Sequence, residues 1–585
     1  MDLHQLVTES IANTKGSLWP AFAPELVICI TIFALLLIRT VTWNVRFDLS
    51  WIAIAGSLTG LVYAAPWKQL AGEVVTRHEL FSGMLVYDGL GIYVRALLLF
   101  FLFLFVVFTR ISGIPDRQDG ADFYCMVFGA TLGMCLMATA NHLLMVFMAV
   151  EMASVPSYAL AAMLKGRREA SEAALKYSVY GAGAAGVMLY GISLVAGLLN
   201  TCHLPTAAVR LAEVLPTLND QQTMILALGS LMIAAGLAFK LSAVPFHFWC
   251  PDVFQGASAE VNAFLSVASK AGALALLLRV ALGFGYRPET IQGPPLLDAP
   301  GSKVATIDAQ VGHDSGLMSV ADETVSTLAA VAVESDESAL ANTEQINTAL
   351  APAREYMALL IAFLSIITCT FGNLAAYGQT NIKRLLAYST IAHAGYMMMP
   401  VPVALSMAGE HPDIAKQAVA SLALYMGIYL FMNLGAFAVV AFLRNTLRSE
   451  EIDSYAGLIR KSPGVVILFA TILFSLVGLP PLAGFLGKFA VFAAIADAYT
   501  ATSKLYLVVL LVAGGINTAI SLFYYLRVVK VMTIDPEPAD RPTAALPMLS
   551  LSGLYLFLIA APIVMLFVSP NVLSNWAAAT AAHLF

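Results

Sequence analysis

Residues 238–272 read AFKLSAVPFHFWCPDVFQGASAEVNAFLSVASKAG, and this stretch decides the fold. An apolar segment that carries Lys240 is interrupted at Pro245. A loop with several aromatic residues and His247 follows, and a second apolar segment then contains Lys270. A lysine near the middle of a membrane helix costs roughly 2.5–3.5 kcal/mol. Two such lysines on either side of a helix break indicate an ion path in a membrane, because packing alone does not need them.

The composition of the whole chain supports a membrane protein. Of 585 residues, 59% are hydrophobic and 12% are charged, about half the charged fraction of a soluble protein. No basic patch with interleaved aromatics is present, which argues against nucleic acid as a partner. The six cysteines form no CxxC pair, so a metal or haem site is not expected. Nucleotide-binding and nucleophile motifs are absent, and no cleaved signal peptide is expected.

Apolar segments recur along the chain at the length of a membrane span. Each spanning helix needs about 20 mostly apolar residues, and on that basis about fourteen spans are predicted. Their centres lie near Ile30, Ser57, Leu99, Gly129, Phe147, Gly186, Met232, Leu276, Ile366, Met397, Tyr429, Ile472–Phe492 (one broken segment), Ala513 and Leu556. The predicted fold is therefore an all-α polytopic membrane protein.

Lysine and arginine are unevenly divided between alternate loops, which predicts the orientation. The richer set holds Arg39, Arg46, Arg110, Arg117, Lys165, Arg167, Arg168, Lys383, Arg384, Arg444, Arg448, Arg460, Lys461, Arg527, Lys530 and Arg541. The poorer set, which includes both tails, holds Lys15, Lys68, Arg77, Arg210, Lys416 and Lys504, plus three residues of one long loop. The richer side is predicted to be cytoplasmic, with both termini outside the cytoplasm.

Two similar halves flank a long acidic loop. Pro245 breaks the fourth helix of one half, and Pro480-Pro481 breaks the fourth helix of the other. Corresponding broken helices point to a transport site between inverted repeats. The predicted division is a three-helix segment at 1–120, a five-helix repeat at 121–286, an acidic extracytoplasmic insertion at 287–354, a second five-helix repeat at 355–530, and a C-terminal helix at 531–585. The insertion is expected to be partly disordered, with one short helix near 317–333.

One acidic and four basic residues are predicted at membrane depth. They are Glu151, Lys176, Lys240, Lys270 and Lys488. The alternative for each lysine is that its side chain extends to a nearby interface, an alternative that is strongest for Lys176 because it stands close to a helix end. Lys240, Lys270 and Lys488 have apolar turns on both sides or stand beside a helix break. A proton path is the interpretation that accounts for all of them.

The chemistry of these groups suits proton transfer. Removal from water favours a neutral lysine, and a nearby carboxylate favours the charged one again. At about 4 Å and an effective dielectric constant near 20, such a pair is worth about 4 kcal/mol, comparable with the roughly 2.3 kcal/mol needed to move one charge across 100 mV. His247 and His393 are candidate relays between the lysines, although each is also explained by packing or by anchoring a loop.

Three motifs carry a resemblance to a known family. They are PFHFWCPDVFQGA (Pro245 to Ala257), EMASVPSYALAA (Glu151 to Ala162) and GLPPLAGFLGKF (Gly478 to Phe489). With NIKRLLAYSTIAHAGYM (Asn381 to Met397), they resemble the antiporter-like membrane subunits of the proton-pumping NADH–quinone oxidoreductase, respiratory complex I. The DVFQGA ending and Lys488 are similar to the subunit N branch. The resemblance covers nearly the whole chain outside the long loop.

That resemblance implies roles for the buried residues. Glu151 and Lys240 would form the coupling pair, Lys270 and Lys488 the central and exit part of the path, and Lys176 an accessory lysine near the cytoplasmic entrance. It implies no cofactor in this chain, since NADH, FMN, iron–sulfur clusters and quinone belong to partner subunits. The long acidic loop and Ala259-Glu260, where the family is expected to have Thr-Pro, depart from the pattern.

The function expected from this resemblance is proton translocation within complex I, in a bacterial inner membrane. The implied partners are the lipid bilayer, a neighbouring antiporter-like subunit M and a small subunit K. The alternatives are a subunit of a cation/proton antiporter, a related membrane hydrogenase or ferredoxin-driven pump, and a structural membrane scaffold. The several buried lysines argue against the scaffold.

Overall fold

The computed structural model describes residues 8, 11, 14–41, 48–73, 75–115, 119–164, 166–287, 343–538, 546–582 and 584–585. Eleven helices within these residues are long and apolar enough to cross a membrane. Two shorter apolar helices lie among them. The predicted all-α polytopic membrane fold is therefore confirmed, and every predicted centre lies within a helix.

The N-terminal part combines apolar helices with a small hairpin. Its elements are α1 (Ala23–Val41), α2 (Ser50–Ala64), α3 (Pro66–Leu70), β1 (His78–Leu80), β2 (Leu85–Tyr87) and α4 (Gly89–Ser112). The two strands are antiparallel, with His78 opposite Tyr87. The hairpin was not predicted, because three-residue strands leave almost no periodic signal.

The hairpin is fixed to the rest of the chain by Glu79. Its Oε1 lies 2.9 Å from Nε2 of His203 and 3.0 Å from Nδ2 of Asn141. Burial raises the pKa of Glu79, but the hydrogen bonds from His203 and Asn141, together with the electrostatic attraction of His203 and Arg77, outweigh it and hold the pKa below its ordinary value. The ionised carboxylate is therefore the form that stabilises this contact.

The first repeat contains five spanning helices, the fourth of which is broken. Its elements are α5 (Gly120–Thr139), α6 (Leu143–Ala161), α7 (Arg168–Leu199), α8 (Leu204–Val214), α9 (Asp220–Leu241), α10 (Trp249–Gly256) and α11 (Ala259–Gly285). The short helix α10 occupies what was predicted to be a loop. The amphipathic α8, which connects α7 and α9, was also not predicted.

The second repeat has the same plan, and two helices follow it. The elements are α12 (Ala351–Ala376), α13 (Ile382–Met398), α14 (Pro400–Met407), α15 (Pro412–Leu447), α16 (Pro463–Val477), α17 (Ala483–Thr502), α18 (Leu505–Thr533), α19 (Leu551–Val568) and α20 (Asn571–Ala579). Here α13 and α14 together make the second helix, and α16 and α17 make the broken fourth helix. An odd number of spans per repeat makes the two repeats inverted.

The acidic insertion is shorter than predicted at its C-terminal end. Residues 343–349 are helical and α12 begins at Ala351, so the part of 287–354 after residue 342 is not a loop. The amide of Asn347 closes the insertion by hydrogen bonds to the backbone N–H and carbonyl of Arg287, at 2.9 and 3.0 Å. Residues 288–342, including the helix predicted near 317–333, lie outside the described residues.

The centre of the molecule is formed by α11 and α15, which pack against each other. In the most apolar 18-residue stretch of α11, every residue is buried. In the corresponding stretch of α15, nearly every residue is buried. In contrast, α7 and α18 expose apolar side chains such as Val179, Tyr190, Ile516 and Phe523 on their outer faces. A buried centre and an apolar outer surface are the arrangement expected in lipid.

Both helix breaks leave helix ends inside the protein. In the first repeat, α9 ends at Leu241, four residues before Pro245, and Ser242 is left-handed with φ 58°. In the second repeat, α16 ends at Val477, and Gly478 caps it with φ +89°, a conformation that favours glycine. The last carbonyls of a helix have no partner within that helix, so each break offers hydrogen-bond acceptors at membrane depth.

Candidate functional site

Lys240 lies at the end of α9, facing α6. It is 2% exposed, and its Nζ donates a hydrogen bond to Oγ of Ser154 at 2.9 Å. Glu151 stands one turn before Ser154 on the same face of α6, as the i, i+3 spacing requires. The carboxylate of Glu151 interacts electrostatically with Lys240. The structure therefore brings together the two residues that the sequence pairs.

Glu151 is positioned at the outer edge of this site. The residue is partly exposed, and its neighbours Met148 and Met152 are exposed on the outer face of α6. Within the described residues, Oε1 of Glu151 is buried without a hydrogen-bond partner. An unpartnered buried carboxylate oxygen is costly, so this side chain is set to accept a bond from a group that approaches from outside or from Lys240.

Lys270 joins Lys240 to the first helix break. It is fully buried on α11, and its Nζ donates to the backbone carbonyl of Lys240 at 3.3 Å and to Oγ of Ser242 at 2.5 Å. The ammonium also lies 5.1 Å from the centre of the Trp249 ring. A helix C-terminus and an aromatic face both favour a cation, which explains how a lysine is accommodated here.

Lys488 is held at the second break in a similar way. It is 4% exposed, and its Nζ donates to the carbonyl of Val477, the last residue of α16, at 2.9 Å. The ammonium lies 4.3 Å from the centre of the Tyr396 ring. Each break therefore places a lysine on a free helix-end carbonyl and over an aromatic ring, although the two lysines come from different helices of their repeats.

A close approach of α16 and α17 makes the second break possible. A Cβ on Gly484 would lie 1.8 Å from the carbonyl oxygen of Ser475, and the amide of Gly484 donates to Oγ of Ser475 at 3.0 Å. Only glycine fits at that distance. Lys488 follows one turn later on α17, so this contact sets how far Lys488 stands from the end of α16.

His393 lies in the second repeat, buried at 2% exposure on α13. Its Nδ1 is 2.8 Å from the hydroxyl of Tyr425, and its Nε2 is 3.4 Å from the hydroxyl of Tyr525. The imidazole also interacts electrostatically with Lys488. A histidine with a hydroxyl on each ring nitrogen is equipped to take a proton on one side and release one on the other.

Lys176 is placed apart from the other lysines, in the N-terminal third of α7. Its Nζ binds Oδ2 of Asp252 at 2.8 Å and Oε1 of Glu172 at 2.9 Å, and its side chain is 36% exposed. Asp252 also accepts a hydrogen bond from Arg384 of the second repeat at 2.8 Å. This cluster of Lys176, Asp252 and Arg384 links the two repeats on the side predicted to be cytoplasmic.

His247 is not drawn into the lysine path by hydrogen bonds. It lies in the loop after α9, with its ring 4.3 Å from that of Phe371, and its buried Nδ1 has no partner within the described residues. Its role as a relay stays a prediction.

Three other buried ion pairs lie elsewhere in the structure. Arg279 binds Asp88, Arg95 binds Glu25 at 3.3 Å, and Glu260 binds Arg444 at 3.4 Å. These pairs neutralise charges at helix ends and lie outside the lysine path.

Several site residues were missed from the sequence because they are ordinary polar or aromatic types. They are Ser154, Ser242, Trp249, Tyr396, Tyr425 and Tyr525. Ser154 alone had a local signal, since it stands three residues after Glu151 in a membrane helix. The others contact the lysines or His393 only through tertiary packing.

Comparisons with known proteins agree with the geometry. Residues 140–292 and 319–518 match the family model described as "NADH:quinone oxidoreductase/Mrp antiporter, TM". The chain is 33% identical over 541 residues to NADH-quinone oxidoreductase subunit N of Anaeromyxobacter sp. strain Fw109-5, covering 91% of each chain. It is 33% identical over 528 residues to NADH-quinone oxidoreductase subunit N of Rhodospirillum rubrum, covering 90% of each.

Solved structures share the architecture. A chain of respiratory complex I from Thermus thermophilus with bound Aureothin is 26% identical, with a TM-score of 0.64, over 94% of this chain and 97% of that one. A chain of the Mrp complex from Dietzia sp. DQ12-45-1b has a TM-score of 0.71 over 96% and 97%, at 16% identity. The second likeness concerns the fold alone.

Proposed function

The chain belongs to the NADH:quinone oxidoreductase/Mrp antiporter family of membrane subunits, and from that premise we propose that it translocates protons as a membrane subunit of an NADH–quinone oxidoreductase. One observation carries the proposal: Lys240, Lys270 and Lys488 are each buried and held at helix breaks. Buried lysines at membrane depth mark ion paths. The 31–35% identity to proteins named as subunits of that oxidoreductase supports the assignment to that enzyme complex.

Glu151 and Lys240 act as the coupling pair in this proposal. If the two charges close from about 8 Å to about 4 Å at an effective dielectric constant near 20, their attraction grows from about 2 to about 4 kcal/mol. Closing the pair therefore adds about 2 kcal/mol, similar to the roughly 2.3 kcal/mol of one charge in 100 mV. When Glu151 moves away, Lys240 loses its carboxylate partner and releases its proton towards Lys270.

The remaining steps run along the helix breaks. Lys270 receives the proton beside the carbonyl of Lys240, from which the path continues to His393 and then to Lys488 at the end of α16. Freed backbone carbonyls at the breaks can hold water that bridges these groups. Lys488 is the last protein group before the opposite side of the membrane.

The redox chemistry takes place elsewhere in the proposed complex. The proposal assigns no redox step to this chain, and NADH, FMN, iron–sulfur clusters and quinone bind to partner subunits in it. An antiporter-like subunit M and a small subunit K are the proposed neighbours. The side with Arg384, Arg444 and Arg527 faces the cytoplasm of a bacterial inner membrane, and both termini face away from it.

A second candidate is a subunit of a cation/proton antiporter. The description of the matching family model, which names the Mrp antiporter beside NADH:quinone oxidoreductase, favours it, and the same lysines would serve it. The two candidates differ in whether NADH oxidation depends on this chain.

The test is NADH-driven proton pumping in inverted membrane vesicles that carry Lys240→Ala. Lys68→Ala is the matched control, since Lys68 is exposed on α3. We expect Lys240→Ala to abolish pumping and coupled quinone reduction while the complex stays assembled, and Lys68→Ala to leave both unchanged. Intact pumping in Lys240→Ala would remove Lys240 from the path. NADH oxidation that does not depend on this chain at all would favour the antiporter.

A further inference from the structure

A hydrogen-bonded pair of hydroxyls leads away from His393 in a direction that the lysine path does not use. The hydroxyl of Tyr525, on α18, lies 3.4 Å from Nε2 of His393 and 2.5 Å from Oγ of Ser389. Ser389 stands one turn before His393 on α13, so both project from the same face. Ser389 and Tyr525 are fully buried, and neither contacts a lysine through a hydrogen bond within the described residues.

This pair points towards the side that carries the basic residues. α13 begins at Ile382 with Arg384 in its first turn, and Ser389 follows Arg384 by about 7.5 Å along the helix axis at 1.5 Å per residue. On α18, Tyr525 precedes Arg527 by only two residues, and Arg527 binds the carbonyls of Tyr377 and Gln379 beyond the end of α12. The hydroxyls therefore lie between His393 and the surface predicted to be cytoplasmic.

At the end closest to the surface predicted to be cytoplasmic, this route meets the charged cluster of Lys176, Asp252 and Arg384 that joins the repeats. Arg384 donates to Oδ1 of Asp252 at 2.8 Å, and Asp252 binds Lys176 through its other oxygen at 2.8 Å. Between Arg384 and Ser389 stands Tyr388, which is half-buried and interacts with Arg384. One carboxylate at the surface thus touches both Lys176 of the first repeat and the start of α13.

The hydroxyl of Tyr525 has partners that can exchange protons. Two other buried tyrosines satisfy their hydroxyls on backbone carbonyls: Tyr93 donates to Ala423 at 2.6 Å and Tyr555 donates to Leu104 at 3.0 Å. A third, Tyr524, donates to Oδ1 of Asn373 at 3.1 Å. The hydroxyl of Tyr525 instead bridges a serine and an imidazole nitrogen, both of which accept and donate protons. A chain of such groups can pass protons along. A backbone carbonyl only accepts a hydrogen bond and has no proton to pass on, so a hydroxyl bound to it is the last member of its chain.

We infer that Ser389 and Tyr525 form a second proton branch, which connects the Asp252–Arg384 cluster to His393 without passing through Lys240 or Lys270. A proton that reaches Ser389 displaces the hydroxyl proton of Ser389 onto Tyr525, and the phenol proton passes to Nε2 of His393. Nδ1 of His393 then gives its proton to the hydroxyl of Tyr425 as that hydroxyl passes its own proton on towards Lys488, which leaves the imidazole neutral and Tyr425 protonated as before. The inference rests on the proposed function, since it gives the second repeat its own supply of protons.

The experiment measures the initial rate of NADH-driven pumping by the complete complex in liposomes, in H₂O and in D₂O, for Tyr525→Phe and Ser389→Ala. Tyr555→Phe is the matched control, because it removes one buried hydroxyl outside the branch. We expect both branch variants to lower the rate about threefold or more. The loss stays below the ~10²-fold of a sole proton-transfer group, because Lys270 still supplies His393.

The isotope effect separates proton delivery from a merely structural role. If the branch carries protons, the ratio of rates in H₂O and D₂O rises in Ser389→Ala, and Ser389→Thr, which restores a hydroxyl, returns both the rate and the ratio to those of the parent. A variant that is only poorly packed lowers the rate without changing the ratio, and that result overturns the inference. Rates equal to that of Tyr555→Phe also overturn it.

Lys488→Ala, measured in the same preparation, distinguishes this inference from the proposed function. If Lys488→Ala stops pumping while Tyr525→Phe and Ser389→Ala behave like the control, the branch is refuted and the lysine path stands. If Lys488→Ala pumps normally, the proposed function fails, and the branch fails with it because it has no path to supply.

Discussion

Gly484→Ala tests whether the close approach of α16 and α17 positions Lys488. An added Cβ would lie 1.8 Å from the carbonyl oxygen of Ser475, whereas carbon and oxygen normally stay about 3.3 Å apart. The start of α17 must therefore move by about 1.5 Å. Lys488 is four residues further along the same helix, and its 2.9 Å contact with the carbonyl of Val477 is lost with that movement.

A displacement of about 1 Å at a reacting group can cost about 10²-fold in rate. We therefore expect Gly484→Ala to lower NADH-driven pumping tenfold to hundredfold, roughly, in vesicles in which the complex is assembled. Gly515→Ala is the matched control, since Gly515 is also helical and a Cβ there would meet nothing within 4 Å; that change stabilises α18 by roughly 0.5–1 kcal/mol. Equal pumping by the two variants would refute the reasoning.

Three further perturbations address other contacts. Ser154→Ala removes the hydroxyl that binds Lys240. Hydrogen bonds to charged groups are worth about 1.5–3 kcal/mol, so we expect about a tenfold loss of pumping. The control Ser157→Ala breaks only a bond to the carbonyl of Ala153 and should pump normally. Asp88→Ala leaves Arg279 buried without its carboxylate partner. The loss costs about 3–5 kcal/mol and should lower the amount of subunit in the membrane. The control Asp122→Ala, at an exposed pair with Arg39, should leave that amount unchanged. Glu79→Gln should lower the melting temperature of the purified complex at pH 7, and the difference from the parent should shrink as the pH falls below the ordinary carboxyl pKa and through the lower pKa of folded Glu79, because the stability that a lowered pKa contributes is lost in that range. Glu213→Gln, at an exposed pair with Arg210, is the control. A loss that stays equal at every pH would contradict the role of the ionised carboxylate.

The spans and their breaks were predictable because each depends on local sequence. A run of apolar residues specifies a membrane helix, and Pro245 and Pro480-Pro481 mark interruptions within such runs. The lysines were also recognisable, since a charge in an apolar helix is rare. The structure places Lys240, Lys270 and Lys488 at those interruptions, as the sequence suggested.

The partners of those lysines could not be predicted. Ser154 and Lys240 are separated by 86 residues, and Ser389 and Tyr525 by 136, so only tertiary packing brings each pair together. The short helix α10 was hidden because eight aromatic-rich residues with an internal proline read as a loop. His247 follows Lys240 closely in sequence but has no hydrogen bond to any lysine within the described residues, so its role as a relay stays a prediction.

Lys270 tests the central claim most directly, because it stands between the coupling pair and the second repeat. The measurement is the number of protons pumped per NADH oxidised in inverted vesicles carrying Lys270→Ala, with Lys416→Ala, at the exposed start of α15, as the control. We predict that Lys270→Ala lowers this ratio while the complex remains assembled and Lys416→Ala pumps like the parent. An unchanged ratio in Lys270→Ala would contradict a proton path along the buried lysines.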